Sequence, residues 1–228
     1  MNAFSLLQRQ IVACSLCPRL VAYRERIARE KVKRYRDWNY WGRPVPGFGD
    51  PQARLLVIGL APAAHGGNRT GRIFTGDRSG DWLYGALYEA GFASQPTSTH
   101  KDDGLQLIDC YITAAVRCAP PENKPLPEEF AACRPYLLRE LSLLKHVQVV
   151  IALGQIAFST YVAARRALNA PVPVPAPRFR HGGIYRFAQL TLIGSYHPSQ
   201  QNTFTGRLTR EMFQSVFQQA RETLTGKQ

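Results

Sequence analysis

Four apolar runs of strand length, residues 53–59, 111–116, 147–153 and 190–194, alternate along the chain with segments whose apolar residues recur at helical spacing. The first run, ARLLVIG, is apolar on successive positions, the pattern of a parallel strand covered on both faces. Helical periodicity covers 1–13, 18–36, 79–90, 126–144, 156–168 and the stretch from about Arg207 onward. Ser79 is placed to cap the third of these helices and Gly91 to stop it. A Trp-rich and Gly/Pro-rich loop fills 38–51, and Pro at 171, 173, 175 and 177 makes 170–177 an extended surface connection. Alternating strands and helices predict an α/β fold: a three-layer αβα sandwich around a mostly parallel, about four-stranded central sheet. With 228 residues and no internal repeat, the whole of 1–228 is expected to be one domain.

Three loops leave the carboxyl ends of these strands: 60–77, 117–125 and 195–205. In open α/β sheets that edge is where ligands bind. The first loop, within GLAPAAHGGNRTGRIFTGD (59–77), is glycine-rich, so its backbone amides can approach an anion closely. Asn68, Arg69, Arg72, Phe74 and Asp77 add side chains for selection and chemistry. The loop lacks the Gly-Lys-Ser/Thr ending that phosphates and magnesium require, which argues against nucleotide hydrolysis and a nucleotide cofactor. The second loop carries Asn123, and the third His197 followed by polar side chains.

Charge narrows the partner. Lys and Arg number 29 against 16 Asp and Glu, a net +13. Nine basic residues against three acidic ones lie between Arg19 and Arg43. A solvated basic helix explains such a run by itself, but the whole-chain excess favours a polyanion, nucleic acid first. No run approaches a membrane span and the N-terminus lacks signal-peptide features, so a cytoplasmic, nucleoid-associated protein is expected.

Cysteines in a reducing compartment need a reason other than disulfides. Cys14 and Cys17 form a CxxC followed by Pro18, and Cys118 and Cys133 form a wider pair downstream. Four thiolates suit a tetrahedral zinc or a 4Fe–4S cluster; the wide second pair, with prolines between, favours the cluster over zinc. Cys118 and Cys133 could instead be buried small apolar residues, and Cys110 reads as core.

GLAPAAHGGNRTGRIFTGD, YITAAVRCAPPENKP (111–125) and SYHPS (195–199), with the cysteine framework, resemble the uracil-DNA glycosylase superfamily over roughly residues 14–215, and most of all its family 5, the type B enzymes. The resemblance implies a monofunctional DNA repair glycosylase that extrudes a damaged base from double-stranded DNA and hydrolyses its N-glycosidic bond, leaving an abasic site. It implies Cys14, Cys17, Cys118 and Cys133 as cluster ligands, pinning the basic N-terminal helical segment to the loop after the second strand. Phe74 would stack on the extruded base, with an ordinary core phenylalanine as the alternative. His197 would donate to a pyrimidine O2 as charge develops, the alternative being a structural histidine. Asp77 would supply the catalytic carboxylate, although a helix cap competes for it, and Asn123 would hold the same water.

Ala63 and Ala64 stand where most of the superfamily places a polar residue, as in family 5. Ala114 and Ala115 stand where family 4 reads uracil with an Asn, so a broad pocket is expected, taking uracil, hypoxanthine and other modified bases. The base pocket is thus Ala63, Ala64, Phe74, Ala114 and His197. Gly66, Asn68, Arg69, Ser199, Gln200, Asn202 and Arg207 are expected to contact DNA. The protein is expected to act as a monomer. The rival from another class is a non-catalytic metal-cluster module that binds nucleic acid.

Overall fold

The computed structural model describes residues 2–226. The sheet holds six strands: β1 (Phe48–Gly49), β2 (Leu55–Gly59), β3 (Cys110–Ala114), β4 (Val149–Leu153), β5 (Ile184–Phe187) and β6 (Leu190–Ser195), in the order β1-β3-β2-β4-β6-β5. The four inner strands are parallel and correspond to the four apolar runs; β1 and β5 pair antiparallel at the two edges. The expected count of about four is therefore two short. β1 is only two residues long inside the Gly/Pro-rich segment, and β5 is a largely exposed hairpin arm, so neither produces an apolar run.

Helices α1 (Ala3–Val12), α2 (Pro18–Glu30), α3 (Gly67–Thr70), α4 (Arg78–Glu89), α5 (Pro127–Leu143), α6 (Gln155–Ala167), α7 (Gln200–Phe204) and α8 (Arg210–Thr225) complete the chain. Alternate residues of each inner strand feed opposite faces. Leu55, Val57, Val149 and Ile151 pack with α4 and α8, whose Leu83, Leu87, Phe213 and Phe217 fall at helical spacing. Leu56, Ile58, Val150 and Ala152 pack under α1, α5 and α6 through Phe4, Leu137, Phe158 and Tyr161.

Several boundaries differ from the sequence reading. Asp77, not Ser79, caps α4: its Oδ1 accepts from the Gly80 amide at 2.9 Å. The second helix ends at Glu30 rather than 36, where Lys31 turns to φ +52°. The closing helix begins at Arg210, because Thr209 caps it. Short helices α3 and α7 lie inside stretches that read as loops.

Below the sheet edge sits a buried polar knot. Glu140 of α5 is 0% exposed and accepts from Tyr111 at 2.9 Å, from Thr113, and from Arg117 at 2.5 Å. Tyr111 and Thr113 are two apart on β3, so both point at one helix. The knot fixes α5 against the carboxyl end of β3, where the second loop begins.

Removing one member of such a pair leaves an unpaired buried charge. Glu140→Ala is expected to lower unfolding free energy by about 3–5 kcal/mol, whereas Arg26→Ala, which loses the exposed pair with Glu30, should cost at most about 0.5 kcal/mol. Urea denaturation of the two variants checks the contrast.

Candidate active site

Connections leave β2 and β4 in opposite directions, β2 toward β3 and β4 toward β6. This is a topological switch point, and a crevice opens outside the carboxyl ends of the two strands. Each strand ends there in a glycine that an aromatic side chain approaches. A Cβ on Gly59, the last residue of β2, would lie 2.6 Å from the Phe74 ring, and one on Gly154, just past β4, would lie 3.6 Å from the His197 Cβ. The two rings stand 5.8 Å apart at 32°.

A cavity of about 550 Å³ opens over these rings, and Ala63, Asp77, Asn123 and Gln200 complete the part of its wall relevant to chemistry. The three loops expected to converge therefore meet, and Phe74, Asp77, Asn123 and His197 share one chamber. Phe74 is 7% exposed and held at φ +54°, an unfavourable backbone for a phenylalanine. It thus serves as core and chamber wall together. Asn123 is also left-handed, at φ +57°, and its exposed side chain is free to point at solvent or ligand.

Asp77 is both the helix cap and a chamber residue. Its Oδ2 lies where a Cβ on Gly66 would be, so Gly66 is the one residue type that leaves the carboxylate room. Burial pushes the Asp77 carboxyl above its ordinary range; the Gly80 and Ser79 amides and the Arg69 guanidinium pull it back. Burial lowers His197 to about 4, so its imidazole is neutral at pH 7 and carries one N–H to donate. The His197 loop is braced by its own neighbours: Asn202 Nδ2 donates to the His197 carbonyl at 2.8 Å, and Ser199 caps α7.

Several expected DNA contacts, and Arg72 among the side chains expected to serve selection, are turned inward instead. Asn68 is buried and donates to the Arg24 carbonyl at 3.1 Å. Arg69 is 2% exposed, bonded to the His65 and Gly76 carbonyls and held between the Tyr35 and Trp38 rings. Arg72 pairs with Asp103 in the interior. Gly66 is buried in the turn that opens α3. These residues shape the glycine-rich loop rather than reach across its surface, because a loop this long needs its backbone carbonyls satisfied from within. Ser199 and Asn202 are spent on the His197 loop. Gln200 is exposed and lines the chamber, and Arg207 is exposed and lies over the Tyr196 ring. Ala64 faces a neighbouring chamber and Ala114 is buried at the end of β3, so neither forms the wall around Phe74.

Sequence reasoning did not reach Arg78 and Phe204. Arg78 lines the chamber and stacks on Phe204, which is 66% exposed. An exposed phenylalanine after the SYHPS segment was the available signal.

The four paired cysteines gather beside this edge. Cys14 and Cys17 lie in the link between α1 and α2, Cys118 follows β3, and Cys133 is on α5. Cys17, Cys118 and Cys133 pack in one small cluster with Leu20 and Val116. Burial raises all three thiols, Cys118 to about 12, and Cys14 adds to each. Arg24 enters the same space: its guanidinium donates to Cys118 Sγ at 3.0 Å and to the Cys14 carbonyl at 3.3 Å, and its Nε is buried without a partner. Cys110 is buried in β3, apart from this group.

The sequence profile of the Uracil DNA glycosylase superfamily matches residues 46–221. The Type-5 uracil-DNA glycosylase of Thermus thermophilus is 53% identical, over 92% of this chain and 94% of its own length. That of Mycobacterium tuberculosis is 50% identical over 93% of this chain and 78% of its own length. A Type-4 uracil-DNA glycosylase of Thermotoga maritima is 31% identical over 68% of this chain and 69% of its own length. No helix among the described residues is long and apolar enough to cross a membrane. With the profile spanning most of the chain and the Type-5 proteins matching nearly all of it, the chain belongs to the uracil DNA glycosylase superfamily, in its type-5 branch.

Proposed function

We propose that this protein is a uracil-DNA glycosylase that hydrolyses the N-glycosidic bond of an extruded deaminated base in double-stranded DNA. The observation that carries the reading is the meeting of Phe74, Asp77, Asn123 and His197 in one chamber at the switch point. Phe74 offers a flat apolar face for the base. The neutral His197 donates to the pyrimidine O2 as the leaving base gains negative charge. Asp77 stabilises the cationic sugar and orients the attacking water, with the Asn123 amide as the second hold on that water. Phe204 and Arg78 stand beside the mouth, where an apolar side chain can fill the gap an extruded base leaves. Exposed Arg26, Arg29, Lys33, Arg34 and Arg36 supply phosphate contacts.

Beside Ala61, Ala63, Phe74 and His197, the amides that line the chamber, Asn123, Gln200 and Gln201, are all exposed side chains, so none is packed in place against the base edge. A wall of this kind rejects few shapes, which supports hypoxanthine and other modified bases as further substrates. Release of free base from duplexes bearing each lesion in turn decides the range.

Cys14, Cys17, Cys118 and Cys133 would hold a 4Fe–4S cluster. The fit rests on the donor set and on Arg24, whose buried, partly unpaired guanidinium is what an anionic thiolate-bound group would neutralise. The wide spacing of Cys118 and Cys133, with prolines between them, supports the cluster over zinc. Bound, such a group supplies a cross-link among α2, α5 and the loop after β3. Iron and acid-labile sulfide in anaerobically purified protein are expected, and their absence with stoichiometric zinc overturns the assignment.

Asp77→Asn keeps a good capping residue while removing the charge. It is expected to slow base release about 10²–10⁴-fold with thermal midpoint and DNA affinity nearly unchanged. Full activity in this variant sinks the catalytic role of Asp77. Since burial raises its pKa, the acid limb of the wild-type rate profile should lie above the ordinary carboxylate value and vanish from the residual activity of Asp77→Asn.

His197 has the opposite linkage to a paired histidine. Its folded pKa of about 4 lies below the unfolded value, so the unfolded state takes up the proton first. Its contribution to stability is complete above about pH 6.5 and declines as pH falls toward 4. His197→Asn should flatten that decline in denaturation series run between pH 7 and pH 4.

A further inference from the structure

A second chamber, of about 780 Å³, adjoins the first and shares Ala63, Asp77, Arg78, Asn123 and Gln200 with it. Its far side is aromatic: Tyr23 of α2 and Tyr35 and Trp38 of the segment that follows. Its charges balance, with Arg34, Arg69 and Arg78 against Asp77, Asp81 and Glu122. A phosphate-binding recess would carry a cationic surplus, and this one carries none. The half-exposed Tyr23 ring instead offers an unstacked base a π-face and the matched charges face its polar edge, whereas the Tyr35 and Trp38 rings already stack on the Arg69 guanidinium and the Ser98 hydroxyl is bonded to Thr75. Arg69 adds a polar site. It is 2% exposed, lines the chamber, and leaves its Nη1 buried without a hydrogen-bond partner.

We propose that this second chamber receives the base of the nucleotide next to the extruded one on the same strand, stacked against Tyr23 beside the Tyr35 and Trp38 rings that Arg69 fills. The proposal rests on the glycosylase reading, since it takes the first chamber as the site of the extruded base. The two chambers share a wall at Asp77 and Asn123, and adjacency of this kind is what sites for consecutive bases need. The enzyme would then hold two successive nucleotides out of the helical stack, and the base beside the lesion would contribute to substrate choice.

The test compares a uracil-containing duplex with the same duplex in which the neighbouring nucleotide, on either flank in turn, is a base-less tetrahydrofuran spacer with its phosphates intact. Single-turnover base release gives the half-saturating enzyme concentration for wild type and for Tyr23→Ala, a change at a half-exposed side chain. On the complete duplex Tyr23→Ala is expected to raise that concentration about tenfold. On the duplex with the spacer at one particular flank, the variant should match wild type. This variant-by-substrate cycle cancels any effect of the spacer on the duplex itself. An equal loss on all duplexes overturns the proposal in favour of a phosphate or general surface role, and no loss on any overturns it outright. If wild type releases no base from the complete duplex, the glycosylase reading fails, and the same cycle is then read by fluorescence anisotropy of DNA binding. Should Tyr23→Ala not fold, Tyr23→Leu, which keeps bulk and loses the ring, replaces it in the cycle.

Discussion

A carboxylate with no access to water must be fully partnered or the fold does not close over it, and Glu140 is the residue on which this constraint falls. Its partners come from one stretch of chain, Tyr111 and Thr113 on β3 and Arg117 just beyond. Arg117 in turn receives the Val45 amide on its carbonyl at 2.7 Å. The loop that follows therefore starts from a fixed point, with Cys118 beside Arg24 and Asn123 over the crevice. The long segment before β2 is tied to the same point through Val45. An apolar substitute could fill the volume, but it could not set the direction in which the loop leaves the sheet.

Above this anchor the chemistry depends on close approach. Gly59 and Gly154 end the two strands at the switch point, and the space they leave is taken by the Phe74 ring and by the His197 side chain. The cost appears as strain: Phe74 and Asn123 both occupy the left-handed region. That strain sets an apolar ring over the strand ends, and the apolar surroundings then keep His197 neutral. Asp77 is treated differently by the same burial. Its two backbone amide donors offset part of the desolvation, so one residue serves as cap and as chamber carboxylate. Reading Asp77 as either a cap or a catalytic group opposes two roles that the geometry makes compatible.

What the sequence shows follows from which physical signals are local. Strands covered on both faces leave continuous apolar runs, so β2, β3, β4 and β6 are legible, and so is the convergence of their loops. The antiparallel edge strands β1 and β5 are held by pairing with a neighbour and leave no such run. The chamber residues Phe74, Asp77, Asn123 and His197 are legible because they sit in strand-end loops whose motifs resemble the superfamily; singly, Phe74, Asp77 and His197 each have a structural reading, and Asp77 and Phe74 do serve as cap and core. The inward turn of Asn68, Arg69 and Arg72 is not legible. A glycine-rich loop with cations reads as a phosphate cradle until the contacts with Arg24, Tyr35, Trp38 and Asp103 are known, and those partners lie far off in sequence.

The charge distribution completes the division of labour. The net +13 is not concentrated in the recesses: Arg24, Arg69, Arg72 and Arg117 are buried and serve the interior, and the second chamber is balanced. Of the surplus that meets solvent, the densest run lies on α2 and the segment after it, where nine basic residues stand against three acidic ones and all but Arg24 are at least partly exposed. Exposed cations act on a polyanion through counterion release and are screened by salt, whereas groups in a desolvated chamber are screened far less. Association with DNA and the chemistry at an extruded base are therefore set by different charges. Ionic strength acts on the first and leaves the second largely untouched.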